Sequence, residues 1–244
     1  MLRRRPSLIV FDLDGTLVDS APDLAYSIDQ MLTRLGRPPA GQARVRGWIG
    51  NGMPMLVKRA LTGEQWPADD PEGFAEALAL YMEMYGENLS VRSRLFDGAR
   101  ECLEQLHEEG YTLACVTNKH SRFTRPVLEN LGVAQYFACV ASGDQFLHHK
   151  PHPEPLLKTA DQLGIKPECA LMVGDSIADA EAARNAGFML VLVPYGYHGE
   201  AAVESLGADA VVESLIEIPA LCDKAGRTDS DGRADQDSFA PFSP

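Results

Sequence analysis

The sequence predicts an α/β protein, a doubly wound parallel sheet with a block of helices inserted as a cap after the first strand. Three observations predict it. A short apolar run, Leu8 to Phe11, stops abruptly at Asp12. Residues 17–94 then carry helical rather than strand periodicity. From Leu95 onward, β-rich runs alternate with helix-like segments, the pattern of βαβ units with right-handed crossovers and a sheet covered on both faces. A lone first strand joins such a sheet most economically if the helices are an insertion. The expected division is a core of 1–16 and 95–223, a helical cap of 17–94 and a flexible tail of 224–244.

The elements follow in order. Ser20 with Asp23 reads as a capping box, and Pro22 suits a first helical turn. Leu24, Ile28, Leu32 and Leu35 repeat at helix spacing until Gly36. A second helix is expected over Met53–Leu61. A third is expected over Glu72–Leu89, with Phe74, Leu78, Tyr81, Met82, Tyr85 and Leu89 on one stripe. The expected strands are Thr112–Val116, Ala138–Ala141, Ala170–Val173, Met189–Val193 and Ala210–Val212. Helices fall between them near Ala99–Glu109, Thr124–Leu131, Glu154–Leu163 and Ala178–Ala186. Residues 224–244 are rich in Asp, Ser, Gly and Pro and almost free of aliphatics, too little apolar surface to offset ordering entropy.

Composition limits the function classes. The 244 residues carry a net charge of −13, so no general pull toward nucleic acid or an anionic membrane is expected. With 45% hydrophobic and 23% charged residues, the chain has ordinary globular composition. The run after Arg3-Arg4-Arg5 is too short for a signal peptide, and Phe188–Val193 is far too short to span a bilayer. Five cysteines without a C-x-x-C pair fit reduced thiols in a cytoplasmic protein, as a monomer or homodimer.

Four predicted strand ends carry distinctive polar groups: Asp12-Leu13-Asp14-Gly15-Thr16, Thr117-Asn118, Lys150-Pro151, and Gly174-Asp175-Ser176 with Asp179 beyond. In a parallel sheet all four converge on one edge, where ligands bind. Two carboxylates ~4 Å apart repel by roughly 4 kcal/mol at an effective dielectric near 20. Asp12, Asp14 and Asp175 would therefore shift their pKa values or recruit a cation, and hard oxygen donors favour Mg²⁺. Lys150, Thr117 and the backbone N–H groups of the 14–16 turn offer donors to phosphate oxygens. Asp12 is placed to attack phosphorus, and Asp14 to protonate the leaving alkoxide and then deprotonate water. His148, His149 and His152 around Lys150 fit a solvated loop better than a closed zinc set.

These motifs, in this order, resemble the four signature motifs of the haloacid-dehalogenase-like hydrolase superfamily over about residues 7–222. The closer resemblance is to the phosphoglycolate phosphatase subfamily, through FDLDGTLVDSAPDLA (11–25), VTNK (116–119), KPHPEPLL (150–157), MVGDS (172–176), AARNAG (182–187) and YGY (195–197). The resemblance implies a Rossmann-like core and a Mg²⁺-dependent phosphatase acting on a small phosphorylated metabolite, 2-phosphoglycolate first among them. It makes Asp12 nucleophile and metal ligand, and Asp14 acid/base with its backbone carbonyl on Mg²⁺. Asp175 completes the metal site, and Thr117, Asn118 and Lys150 hold substrate and phosphate. Thr16, Ser176 and Asp179 support them.

Two rivals remain at this point: a sugar-phosphate phosphatase or β-phosphoglucomutase-like mutase of the same fold, and a phospho-acceptor signalling module. A loop at Trp48-Ile49-Gly50-Asn51-Gly52 is expected to dip toward the site, with Lys58 or Arg59 near the substrate's own carboxylate.

Overall fold

The computed structural model describes residues 2–198 and 202–231, with side chains as far as Ala225. The chain opens with β1 (Leu8–Phe11) and β2 (Val18–Asp19). Four helices follow: α1 (Ala21–Arg34), α2 (Gln42–Arg46), α3 (Gly52–Thr62) and α4 (Phe74–Glu87). After β3 (Arg94–Leu95) the alternation sets in with α5 (Ala99–Glu108), β4 (Thr112–Thr117), α6 (Ser121–Asn130), β5 (Cys139–Ser142) and α7 (Glu154–Gln162). It ends with β6 (Ala170–Gly174), α8 (Ile177–Ala186), β7 (Met189–Leu192), β8 (Ala210–Val211) and α9 (Ile218–Asp231).

Six strands pair in the order β5-β4-β1-β6-β7-β8, every neighbour parallel. The chain builds outward from β1 through β4 to β5, then crosses back to the other side of β1 for β6. The order reverses between β1 and β6, and a crevice opens outside the carboxyl ends of strands at such a point. Side-chain alternation distributes the two faces. Ile9 and Phe11 enter one core with residues of α5, α6 and α9. Leu8 and Val10 enter the other with α7 and α8, where Ala180, Ala182, Ala183 and Ala186 pack against the strands.

The helices α1–α4 have a hydrophobic cluster of their own, centred on Ile28, Met31, Leu56, Tyr81 and Tyr85 and joined by Phe123 and Tyr197 from the sheet side. A two-stranded antiparallel ribbon, Val18 against Leu95 and Asp19 against Arg94, clasps the chain where it leaves and re-enters the sheet region. Among the described residues, no helix is long and apolar enough to cross a membrane.

Some local expectations change. Ser20 makes no capping bond, and Asp23 does not close a box with it. Fully buried Asp23 instead accepts from the backbone N–H groups of Arg92 and Ser93 and from Ser93 Oγ. A partner distant in sequence thus outbids the local cap. Both α2 and the ribbon are too short to produce a periodic signal. The last helix runs past residue 223 to Asp231, because Ile218, Cys222 and Ala225 recur on one face and sink into the sheet core. The remainder of the expected tail, 232–244, lies outside the described residues.

Candidate active site

β1 positions the first acid. The parallel ladder with β6 continues one residue beyond the strand, Asp12 N donating to Val173 O at 3.0 Å. The chain then turns tightly: Leu17 N and Val18 N both donate to Leu13 O, and Gly15 N donates to Val18 O. Gly15 sits at φ +96°, a backbone conformation open to glycine, and a Cβ there would strike the Asp175 carboxylate. Asp14, carried on this turn, is gripped by Lys119, whose Nζ lies 2.9 and 3.1 Å from its two carboxylate oxygens.

Lys150 anchors the centre. Its buried Nζ lies 2.9 Å from Asp12 Oδ1, 2.6 Å from Asp179 Oδ1 and 2.9 Å from Val116 O. Burial opposes its charge, but Asp12 and Asp179 outweigh that and raise its pKa above the ordinary lysine value. At the start of α8, Ser176 and Asp179 form a capping box. Asp179 Oδ2 accepts from Asp175 N, Ser176 N and Ser176 Oγ while Oδ1 holds Lys150. Asp175 accepts from Thr16 Oγ1 at 2.7 Å and from Tyr197 N. A Cβ on Gly196 would occupy the space of the Asp175 side chain.

The electrostatics call for a cation. Burial pushes the Asp12 carboxyl up to about 6 against the pull of Lys150, with Asp179 and Asp14 pushing further. Burial, then Asp179 and Asp12, raise Asp175 well above the carboxylate range. Carboxylate oxygens of Asp12, Asp175 and Asp179 lie within 4.8 Å of one another. Four carboxylates here face two ammonium groups, those of Lys119 and Lys150. Asp179 Oδ2 takes three donors and its Oδ1 holds Lys150, whereas no oxygen of Asp12 or Asp175 has more than one partner among the described residues, so these two side chains keep lone pairs to offer a hard divalent ion. The donor chemistry fits such an ion.

The expected residues come together, with qualifications at two of them. Thr117 ends β4, buried, its Oγ1 accepting from Lys119 N. Asn118 uses its side-chain N–H groups on Gly50 O and Lys150 O, bracing the helical side against the Lys150 loop. A cavity of about 40 Å³ lies between Asp12 and Asp14 on one side and Ile49, Gly50, Tyr81 and Tyr85 on the other.

Neither Lys58 nor Arg59 reaches the cavity, against expectation. Lys58 pairs with Asp70, and buried Arg59 donates to Trp48 O, Gln65 O and Asn51 Oδ1. Three carbonyl-type acceptors within the helical block outcompete a pocket for that guanidinium. His148, His149 and His152 are exposed. Sequence reading missed Lys119 and Tyr197 as parts of the site. Lys119 had a signal, its place directly behind the Thr117-Asn118 strand end; Tyr197 lay in the YGY (195–197) stretch that carries the family resemblance, but nothing there gave it a role.

A doubly wound sheet with paired acids at the switch point, a buried lysine and a helical wall defines a class. A sequence profile described as haloacid dehalogenase-like hydrolase matches residues 9–193. The chain belongs to that family. It is similar to the phosphoglycolate phosphatase of Nitrosococcus oceani, 45% identical over 222 residues, covering 91% of this chain and 99% of that one. The phosphoglycolate phosphatase of Thiobacillus denitrificans is 45% identical over 217 residues, covering 89% and 96%. Among solved structures, a predicted phosphoglycolate phosphatase from Haemophilus somnus 129PT superposes with a TM-score of 0.82 at 35% identity, covering 89% of this chain and 98% of that one. The chain is thus an enzyme of the phosphatase branch of these hydrolases.

Proposed function

We propose that the enzyme hydrolyses 2-phosphoglycolate to glycolate and inorganic phosphate in the cytoplasm, through an aspartyl-phosphate on Asp12, with Mg²⁺ as its resident ion. The observation that carries this reading is the juxtaposition of Asp12 on Lys150 with Asp14 two residues away on Lys119, both facing one small cavity. Bound by Asp12 and Asp175, with the Asp14 carbonyl, Mg²⁺ would neutralise negative charge so that one anion can approach another.

The chain's residues do the rest. The Thr117 hydroxyl binds a phosphate oxygen, while Lys150, whose three N–H donors face Asp12, Asp179 and Val116 O, holds Asp12 in place and turns one donor to phosphate as the substrate enters. An Asp12 carboxylate oxygen attacks phosphorus while the bond from phosphorus to the glycolate oxygen breaks, and Asp14 donates a proton to that oxygen. Asp14 then takes a proton from water, whose oxygen attacks phosphorus. The bond to Asp12 breaks, phosphate leaves, and the carboxylate is regenerated. Asp175, Thr16, Ser176 and Asp179 hold these groups in place.

The helical block 17–94 acts as the cap, excluding bulk water. The test is phosphate release from 2-phosphoglycolate, glucose phosphates and para-nitrophenyl phosphate, each with Mg²⁺ and with EDTA. The highest kcat/KM is expected for 2-phosphoglycolate, with turnover lost in EDTA. A glucose phosphate as best substrate, or its isomerisation, would overturn the assignment.

A further inference from the structure

Tyr81 and Tyr85 stand one helical turn apart on α4, each with at most 1% of its surface exposed. Their rings are stacked, 3° between planes with centroids 5.8 Å apart. Both rings line the cavity that contains Asp12 and Asp14. Among the described residues, neither hydroxyl has a hydrogen-bond partner. Buried hydroxyls are rarely left so, and phenylalanine would fill the same space without the penalty.

The surroundings say what such donors are for. Of the residues that 17–94 place in this wall, Tyr81 and Tyr85 alone carry a side-chain hydrogen-bond donor; Leu24, Ile49, Met53 and Leu56 are apolar. Burial pushes both phenols well above their ordinary pKa, so they keep their protons and can only donate or accept as neutral hydroxyls. The Lys119 ammonium lies 4.8 Å from the Tyr85 ring centroid, and Phe123 fixes that ring from its edge at 5.0 Å. Two fixed O–H donors in an otherwise apolar wall match a small anion, with the Lys119 ammonium offsetting the Asp14 carboxylate that it grips.

We propose that Tyr81 and Tyr85 form the subsite for the substrate's carboxylate, each hydroxyl donating to one of its oxygens. The proposal rests on the assignment of 2-phosphoglycolate as substrate. It puts selection on a pair of neutral donors, where the sequence suggested Lys58 or Arg59.

Tyr81→Phe, Tyr85→Phe and the double variant test it, because phenylalanine keeps the rings and removes only the hydroxyls. The readout is the ratio of kcat/KM for 2-phosphoglycolate to that for ethyl phosphate, which lacks the carboxylate. Each hydroxyl donates to a charged group, so each single variant is expected to lower this ratio by about 10–100-fold, mainly through KM. Glycolate, as a product inhibitor, should weaken in parallel. A ratio unchanged in the double variant overturns the subsite, as does an equal loss on both substrates, which marks a packing role. If the wild-type enzyme itself shows no preference for 2-phosphoglycolate over ethyl phosphate, the substrate assignment falls along with the subsite. If that preference is present and survives both substitutions, the subsite alone falls.

Discussion

The two walls of the cavity are built on opposite plans. On the sheet side nearly every charged atom has a fixed neighbour. Lys150 reaches Asp12, Asp179 and Val116 O; Asp179 Oδ2 takes three donors; Asp175 is held by Thr16 and Tyr197. On the helical side the wall is apolar and its two hydroxyls are unassigned. A saturated polar network locks reactive groups in place. A wall with donors to spare is complementary to something that arrives. If the two hydroxyls select the substrate as proposed, chemistry sits on the strand ends and selection on the helices, and one fold can keep its reaction while changing its substrate.

The largest effect should come from the saturated wall. Asp12→Asn is expected to lower phosphate release by roughly 10⁴–10⁶-fold, the range seen when a covalent nucleophile is removed. Measured by single-turnover phosphate release, an asparagine variant that retained most of the rate would move the nucleophile elsewhere. Asp14→Asn should cost about 10²–10⁴-fold, the usual worth of general acid–base catalysis. The loss on 2-phosphoglycolate should exceed that on para-nitrophenyl phosphate, whose leaving group needs no proton; equal losses would remove Asp14 as the acid.

Lys150→Met sharpens the comparison in terms of stability. It leaves the buried carboxylates of Asp12 and Asp179 facing each other without their shared cation. Breaking a buried pair from one side typically destabilises by about 3–5 kcal/mol. Urea unfolding in EDTA is the measurement, and a shift under about 1 kcal/mol would mean that neighbouring groups redistribute the charge. The same substitution at Lys150 should leave the packing of α1–α4 untouched, since that cluster shares no residue with it.

How much of this could be read in advance divides along the same line. The strands were legible because apolar runs end in abrupt polar stops: Leu8–Phe11 then Asp12, Ala170–Val173 then Gly174-Asp175. Each such stop places its acid at a strand's carboxyl end before any contact is known. The contacts themselves were not legible. Asp23 pairs with Ser93 across 70 positions, and Tyr197 meets Asp175 from beyond another strand. Asp23 and Tyr197 lie in stretches that carry the family resemblance, but nothing in those stretches says which distant residue each one meets. Lys58 and Arg59 misled for the converse reason: a basic residue near an expected pocket reads as a ligand contact until its internal acceptors are seen.

Lys58 supplies the smallest and most discriminating effect. Its ammonium pairs with Asp70, whose side chain is 64% exposed, and lies 5.3 Å from the Phe74 ring centroid. The Lys58 side chain is only 18% exposed, but with its partner open to water the pair is worth about 1 kcal/mol or less, weakened further by salt. Lys58→Ala is therefore expected to shift the unfolding midpoint slightly and to leave the ratio of kcat/KM for 2-phosphoglycolate over ethyl phosphate where it was. The contrast with Tyr81→Phe matters more than either value. Removing a full charge that does not line the cavity should do less to selectivity than removing one uncharged hydroxyl from its wall, because electrostatic worth here is set by aim rather than by formal charge. A selectivity that collapsed with Lys58 and survived Tyr81→Phe would reverse that order and place the carboxylate on a basic side chain after all.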